Sequence, residues 1–585
     1  MPTDLQSFKT DRLRLIVIGV IALVLFLGES PFATRGEPRE AVVAMSMLHD
    51  GNWILPVNNG DEIAFKPPLL HWLVAAFSWI SGSVSELTSR LPSALAGLAM
   101  VVSTFVFFAR RGERRTALLA AMICLTCFEV HRDAMTCRVD MLLAALTVMA
   151  LYALYAWGER AHRGIPWSAT LCLAGAALTK GPVGIVLPCG VYALFVLCHD
   201  ARCLWRVWLR LAGVAVLALL PLTAWYVAAY LQPHGGDRFL QLIYEENVLR
   251  FTGQMTYASH INPWPYNVVM IVAGMLPFTL LLPVSAWLLP KAFKGLSLKG
   301  LHPLRWLHSL SPLTLFALMS AVVIFVFYCI PASKRGVYLL PLYPFLAWFT
   351  ARFMLWLDAH HHRTLSVWSR FVGGLTLLLA LCFIAVKCGW VRGEMLFSGK
   401  HAAQNIAFVR SLADVSWGFW SVVLTLSAVL VGLRTLFRPM GGDVRLAVVS
   451  LFVVWLNYDA IYKPAVMTVQ TDKAVAAEVA KRATAGTIYS FRTDVLEANR
   501  MHPFTINFYL GDRIIPIDKA SSAPAEGYLV TGNDEIDAFL KAYPAYEAHL
   551  VYDSHHRSCD DRKVVKLYRF KAKPTPKSRF KNDKN

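Results

Sequence analysis

The sequence predicts an all-α polytopic membrane protein that carries a small α/β domain outside the bilayer. Three observations carry that expectation. The chain of 585 residues is 56% hydrophobic and only 16% charged, with a mean hydropathy of +0.47, whereas soluble domains are roughly 45–50% apolar and about 25% charged. The apolar residues gather in runs of about 17–25, the length that crosses a bilayer core as helix. These runs recur along most of the chain, unlike a single signal segment, and give way near residue 466 to short helical and strand patterns.

Thirteen spans are predicted: 12–28, 91–109, 116–131, 139–157, 167–180, 181–198, 208–231, 266–290, 311–330, 336–357, 368–388, 416–434 and 445–461. Only the tight turn "TKGP" separates the spans at 167–180 and 181–198. Lys and Arg in short loops set the orientation. With the N-terminus cytoplasmic, the inside loops, among them "KTDRLR", "RRGERR", "GERAHRG" and "RTLFRPMGGDVR", are all basic, while the long outside loops mix both signs. An odd number of spans then places the C-terminus outside. The formal net charge of +19 is partly this topology signal. No stacking motif or DNA-binding pattern points to a nucleic-acid partner.

Residues 1–465 form the membrane domain, with a long first outer loop at 29–90. Further outer loops lie at 232–265 and 389–415, and long loops in compact proteins are often functional. In the first loop, 39–50 and "PPLLHWLVAAFSWISG" read as helices lying at the outer membrane surface, the second opened by proline. Residues 466–570 form the outer α/β domain. There "DKAVAAEVAKRA" and "EIDAFLKAY" read as helices, and "TIYSF", "INFYL", "GYLVTG", "HLVYD" and "VVKLYRF" as strands. Residues 571–585 form a basic tail whose composition predicts disorder.

Eleven cysteines are scattered mostly through the spans. "CLTC" at 124–127 lacks a histidine or a second pair, so it reads as small buried hydrophobes rather than a metal site. Cys559 is the only cysteine after Cys388, so no disulfide is expected in the outer domain. His49, His71 and the "HHH" at 360–362 read as interfacial or solvated groups.

The polar residues that can carry chemistry lie on the outer face of this topology. They are Glu37, Arg39 and Glu40 in "RGEPREAV", Lys66 in "FKPPLLHW" and Asp140 at the end of "HRDAMTCRVD". Lys180 in "TKGP", Arg250 and His260 in the second outer loop, and Lys334 and Tyr338 in "SKRGVYLLPLYP" complete the set. Charges near hydrocarbon face protein interiors or cavities. Carboxylates and cations gathered at one face suit an anionic group such as a phosphate, which basic side chains hold and whose departure they assist. A carboxylate can deprotonate an acceptor hydroxyl. Attack at a sugar carbon beside that phosphate is glycosyl transfer.

The segment "GEPREAVVAMSMLHDGNWILPVNNGDEIAFKPPLLHWL" resembles the first outer loop of bacterial GT-C glycosyltransferases of the protein O-mannosyltransferase type, and among them the aminoarabinose transferases that modify lipid A. "RVDMLLA", "LTKGPVGIVLP", "ENVLRFTG" and "SKRGVYLLPLYP" resemble later blocks of that family in the same order, over roughly residues 15–350. The resemblance implies a GT-C fold in a bacterial inner membrane, with the outer domain periplasmic. It implies transfer from an undecaprenyl-type polyprenyl phosphate sugar donor to a lipid or protein acceptor, with inversion. Glu37 and Asp140 then take the catalytic positions. Lys66, Lys180, Arg250, Lys334 and Tyr338 fall at carrier-phosphate positions, with Arg39 and His260 beside them. No cofactor is required by the sequence, and a divalent metal is compatible with it but not required. Many relatives have Asp-Glu where this chain has Gly36-Glu37, and a glutamate where it has Phe65. Both departures point to a different acceptor or sugar. A protein O-glycosyltransferase of the same fold is the nearest alternative. A lipid or sugar transporter or flippase is the alternative from another class, but it predicts mid-bilayer charges and repeated halves rather than charges at the outer ends.

Overall fold

The computed structural model describes the chain apart from residues 1, 60–61, 200–203, 234, 250–251, 253, 255–260, 285–306, 308, 439–443, 485, 493–500, 519–522, 533–534 and 574–585. Arg250, His260 and nearly all of the basic tail therefore lie outside the described residues. The chain forms two compact units. One comprises Met1–Ser30, Trp53–Leu55 and Phe65–Val469; the other comprises Pro31–Asn52, Pro56–Ala64 and Gln470–Asn585.

The first unit is helical. Along the chain run α1 (Pro2–Leu23), α2 (Gly36–Asp50, which belongs to the second unit), α3 (Leu69–Ser81), α4 (Glu86–Ala109) and α5 (Arg114–Thr126). They are followed by α6 (Phe128–Ala134), α7 (Val139–Glu159), α8 (Trp167–Lys180), α9 (Val183–His199) and α10 (Leu204–Tyr230). Among the described residues, seven helices are long and apolar enough to cross a membrane: α4, α7, α10, Pro312–Cys329, His362–Lys387, Phe419–Phe437 and Val444–Gln470. The pair Pro265–Gly274 and Phe278–Val284, bent by 103°, makes an eighth if counted as one span. The bend falls around Pro277, which lacks the amide donor a continuous helix needs. Each of the thirteen apolar runs lies largely on described helix, the run at 266–290 only as far as residue 284.

Local chemistry sets these elements. Ser85 caps α4: its hydroxyl accepts the Thr88 amide, and the Thr88 hydroxyl accepts the Ser85 amide in return. Arg90, fully buried in α4, donates to the carbonyls of Leu27 (3.0 Å) and Ser30 (2.7 Å), satisfying acceptors in the chain that leaves α1. The Phe107 ring stacks on Tyr152 at 4.1 Å, and the Tyr152 hydroxyl shares a hydrogen bond with Thr104. Cys124 and Cys127 are fully buried, as small hydrophobes should be. His71 departs from the solvated reading: it is buried on α3, whose inner face also carries Leu70 and Val74. The turn between α8 and α9 rests on Gly181, whose φ of 82° and ψ of −159° suit only glycine. The two helices then pack so closely that a Cβ on Gly184 would lie 2.4 Å from the Ala176 carbonyl carbon.

The second unit is built on a mixed sheet. Its strands are β3 (Ile488–Arg492), β4 (Ile514–Asp518), β5 (Glu526–Thr531), β6 (Tyr546–Arg557) and β7 (Val564–Ala572), after a short antiparallel pair β1 (Val57–Asn58) and β2 (Glu62–Ile63). The order is β4-β3-β5-β7-β6, with β3 parallel to both β4 and β5 and the remaining pairs antiparallel. Alternation sends Ile488, Ile514, Val530 and Leu567 to one face with helix Lys473–Arg482, and Phe491, Ile517, Leu529 and Phe570 to the other with Phe539 of helix Glu535–Ala542. "INFYL", expected as a strand, instead belongs to the buried helix Phe504–Tyr509, and β4 follows it. A short apolar run has no period that separates a strand from a buried helix turn. Asn507 accounts for the difference: its Oδ1 accepts the Ile514 amide (3.0 Å) and its Nδ2 donates to Asp512 (2.8 Å), closing the chain back on itself. Asp560 anchors the same helix, accepting both the Thr505 amide and hydroxyl at 2.8 Å.

Two outcomes are expected. Gly184→Ala lowers the thermal unfolding midpoint of the detergent-solubilised protein, at an overpacking cost of about 1–3 kcal/mol. Gly190→Ala, in the same helix with open space around it, leaves the midpoint unchanged or higher. In the second unit, burial pushes the Asp560 carboxyl up to about 7, with repulsion from Asp472 adding to it. A raised folded-state value means that its contribution is fully present below the ordinary carboxylate range and is lost as pH rises through about 7. Hydrogen-exchange protection at 504–509, corrected for intrinsic rates, should therefore fall between pH 5 and 8, and Asp560→Asn should flatten that fall.

Candidate active site

The centre of the first unit's site is an ion pair between two helix ends. Asp140 lies in the first turn of α7 and Lys180 in the last turn of α8. Each charge therefore sits where the helix dipole favours it, a carboxylate at an N-terminus and an ammonium at a C-terminus. Lys180 Nζ donates to Asp140 Oδ1 at 2.5 Å, with the carboxylate buried and the lysine about a third exposed. The same ammonium lies 4.1 Å from the centre of the Tyr338 ring, a cation–π arrangement. Tyr338 comes from the 3-10 segment Gly336–Leu342, and its ring packs at 5.8 Å from Tyr328. Arg138 and Arg335 act electrostatically on Asp140 as well. Ser93 of α4 fixes the start of α7, its hydroxyl donating to the Arg138 carbonyl at 3.1 Å.

The sequence-predicted residues thus divide. Asp140, Lys180 and Tyr338 meet. Lys334 is buried beside them in sequence, but its ammonium donates to the Pro331 carbonyl at 2.6 Å. Lys66 is half-buried just ahead of α3, after which Pro67 and Pro68 start the helix. Glu37, Arg39 and Glu40 belong to the second unit on α2. Glu37 is buried in the first turn of α2, and Glu40 pairs with Arg39 at 3.0 Å. Arg250 and His260 fall outside the described residues.

Sequence reasoning missed the acidic helix α6. Glu129 and Asp133 are buried, and Arg132 joins them at 2.7 Å and 3.4 Å. Glu129 acts electrostatically on Asp133, and Asp140 acts on both. Glu129 Oε1 also approaches Gly336, where a Cβ would stand 3.1 Å from it, so the segment bearing Tyr338 runs against this carboxylate. The signal was present in "FEVHRDAMTCRVD", but Glu129 fell within the predicted span 116–131 and Asp133 just past its end. Among the described residues no three His, Cys, Asp or Glu side chains converge as a metal-holding set.

Known proteins agree with this architecture. The family of dolichyl-phosphate-mannose-protein mannosyltransferases matches residues 65–225. Superposition on the crystal structure of ArnT from Cupriavidus metallidurans bound to undecaprenyl phosphate gives a TM-score of 0.65. It covers 95% of this chain and 97% of that one at 21% identity. The chain therefore shares the fold of that transferase, the fold that the sequence motifs imply. Among known transferases, the chain is 27% identical over 446 residues to the undecaprenyl phosphate-alpha-4-amino-4-deoxy-L-arabinose arabinosyl transferase of Pseudomonas savastanoi pv. phaseolicola, covering 73% of this chain and 79% of that one. It is 30% identical over 344 residues to an uncharacterized protein of Aquifex aeolicus. That alignment covers 58% of this chain and spans a little under two thirds, 63%, of the Aquifex protein's length.

The ion pair predicts non-additive stability. Asp140→Asn or Lys180→Met alone strands a partner charge and should each destabilise the protein by a few kcal/mol. The double variant should cost less than the sum, read by denaturation of all four proteins in a double-mutant cycle.

Proposed function

We propose that the chain is an inverting glycosyltransferase of the bacterial inner membrane that moves a sugar from an undecaprenyl-type polyprenyl phosphate to an acceptor at the periplasmic face. The acceptor is lipid A or another envelope lipid or glycan. Thirteen spans, a cytoplasmic N-terminus and a periplasmic C-terminal domain complete the reading. The observation that carries it is the Asp140–Lys180 pair with Tyr338 beneath the ammonium, at the helix ends of a GT-C fold.

In this reading Lys66 and Lys180, helped by Arg250 or Lys334, hold the carrier phosphate. Asp140 orients Lys180, because its carboxylate is already engaged by that ammonium. Arg39 and His260 flank the substrates. Glu37 accepts the acceptor's hydroxyl proton as the oxygen attacks the anomeric carbon. The carbon–oxygen bond to phosphate breaks, and the polyprenyl phosphate leaves with the electron pair. The cations neutralise the charge that grows on it.

The assay uses purified protein, a radiolabelled polyprenyl-phosphate sugar and lipid A or total envelope lipid. Glu37→Gln should lower transfer by about 10²–10⁴-fold, the usual worth of a general base, and Lys180→Met should weaken use of the donor. If Glu37→Gln and Asp140→Asn both keep full transfer, the mechanism is wrong. Vectorial movement of the lipid without a new glycosidic bond would instead favour a transporter.

A further inference from the structure

The helix Phe504–Tyr509 does more than fill the core of the second unit. Phe32, five residues before Glu37, is fully buried, and both of its backbone groups are held by side chains from the C-terminal part of the chain. Its amide donates to the Tyr509 hydroxyl at 2.9 Å, and its carbonyl accepts from the Thr471 hydroxyl at 2.5 Å. Its ring meets Phe508 edge-on at 4.7 Å between centroids. Beyond it, the Arg35 guanidinium lies 5.4 Å from the centre of the Phe504 ring. The far end of the loop is tied to the same helix, with Asn507 Nδ2 donating to Asn59 Oδ1 at 2.9 Å and His502 facing Glu62 at 3.6 Å. Between these anchors, Asn58 Nδ2 donates to the Arg39 carbonyl at 3.1 Å, two residues past Glu37.

A loop held only by its own contacts pays for its order in conformational entropy, which each outside anchor reduces. With its amide and its carbonyl both bonded, Phe32 has the two peptide groups that flank it held at once, and α2 starts four residues later. We propose that Thr471 and Tyr509, gripping Phe32, are positioning residues that fix the Glu37 carboxylate, so that the C-terminal α/β part sets the turnover of the membrane enzyme. The inference rests on the reading of Glu37 as the acceptor's base. Neither residue touches substrate or reacting atoms in that reading; they act through α2.

The test uses the full-length protein in detergent. Thr471→Val and Tyr509→Phe, alone and together, remove the two hydroxyls and keep the shapes; Thr471→Ser keeps the hydroxyl. Hydrogen exchange of peptides covering 36–50 is followed beside transfer kinetics and thermal unfolding. The double variant should exchange faster at 36–50 while peptides from β3 to β7 stay protected. Its kcat should fall about 10- to 100-fold, the effect of misplacing a catalytic group by about an ångström. KM for the polyprenyl-phosphate donor should not move, and Thr471→Ser should behave as wild type. Unchanged exchange at 36–50 overturns the inference whatever the kinetics show. So does loss of protection across the whole sheet, or a matching change in donor KM, either of which marks a general structural defect. Faster exchange at 36–50 with unchanged kcat also overturns it, provided Glu37→Gln is inactive in the same assay. If Glu37→Gln itself keeps full transfer, the reading of Glu37 falls, and exchange at 36–50 still decides the anchoring alone.

Discussion

A carboxylate and an ammonium inside an apolar helical bundle must neutralise each other, and the Asp140–Lys180 pair is the constraint around which the first unit is arranged. Burying the Asp140 carboxylate alone costs several kcal/mol, and the partly exposed Lys180 ammonium offsets that cost. The pair fixes the N-terminus of α7 against the C-terminus of α8. That requirement explains the turn after Lys180. Gly181 reverses the chain at once, and Gly184 lets α9 return along α8 at backbone distance. It also explains why the Tyr338 ring lies beneath the ammonium: an aromatic face stabilises a cation without adding a second carboxylate that would compete for it.

A second polar seam holds the acidic helix α6 in register with this pair. The chain breaks at Cys127, which is extended with φ of −72° and ψ of 146°, and such a break frees backbone groups that hydrocarbon cannot satisfy. The helix Val444–Gln470 supplies the partners. Trp455 Nε1 donates to the Thr126 carbonyl at 2.8 Å, and Lys463 Nζ donates to the Met135 carbonyl at 3.3 Å, so α6 is pinned just outside both its ends. Between them His131 bonds Asp459 at 2.7 Å, with the Trp455 ring stacked on the imidazole at 4.1 Å. Asp459 stands in the π-helical segment Tyr458–Tyr462, a local widening of the kind that re-aims a side chain at functional sites. The seam fixes α6, and α6 places Glu129 against Gly336 at the start of the Tyr338 segment.

Legibility followed physical locality. The apolar helices were readable because hydrocarbon imposes a length and a composition on a crossing helix, and the Lys180 turn because Gly-Pro between two apolar runs permits little else. Asp140 and Lys180 were readable as polar exceptions, but their pairing was not, since forty residues separate them in the chain. Glu129 and Asp133 were hidden because "EVHRDA" sits where a span seemed to end, and a charged span end is ordinarily solvated. "INFYL" misled because its apolar residues are buried on every side. Least legible was the assignment of Pro31–Asn52 to the C-terminal unit, which depends on hydrogen bonds from Thr471, Asn507 and Tyr509 that no local pattern announces.

The Glu37 carboxylate at the start of α2 bears on the acceptor. In the proposed displacement, the leaving group is a phosphate that departs as a stable anion, so no general acid is needed on that side. Lysines and arginines suffice there, because their task is to neutralise charge rather than to move a proton. Any demand for a base comes from the acceptor alone. A sugar or protein hydroxyl must lose its proton as the glycosidic bond forms, and one carboxylate is enough to receive it. An acceptor phosphate is already ionised and brings its own nucleophilic oxygen, so a carboxylate beside it would repel it. Gly36 carries no such charge, and Glu40 is neutralised by Arg39 at 3.0 Å. The dependence of transfer on Glu37 therefore separates the two acceptor classes: strong for a hydroxyl, weak or inverted for a phosphate.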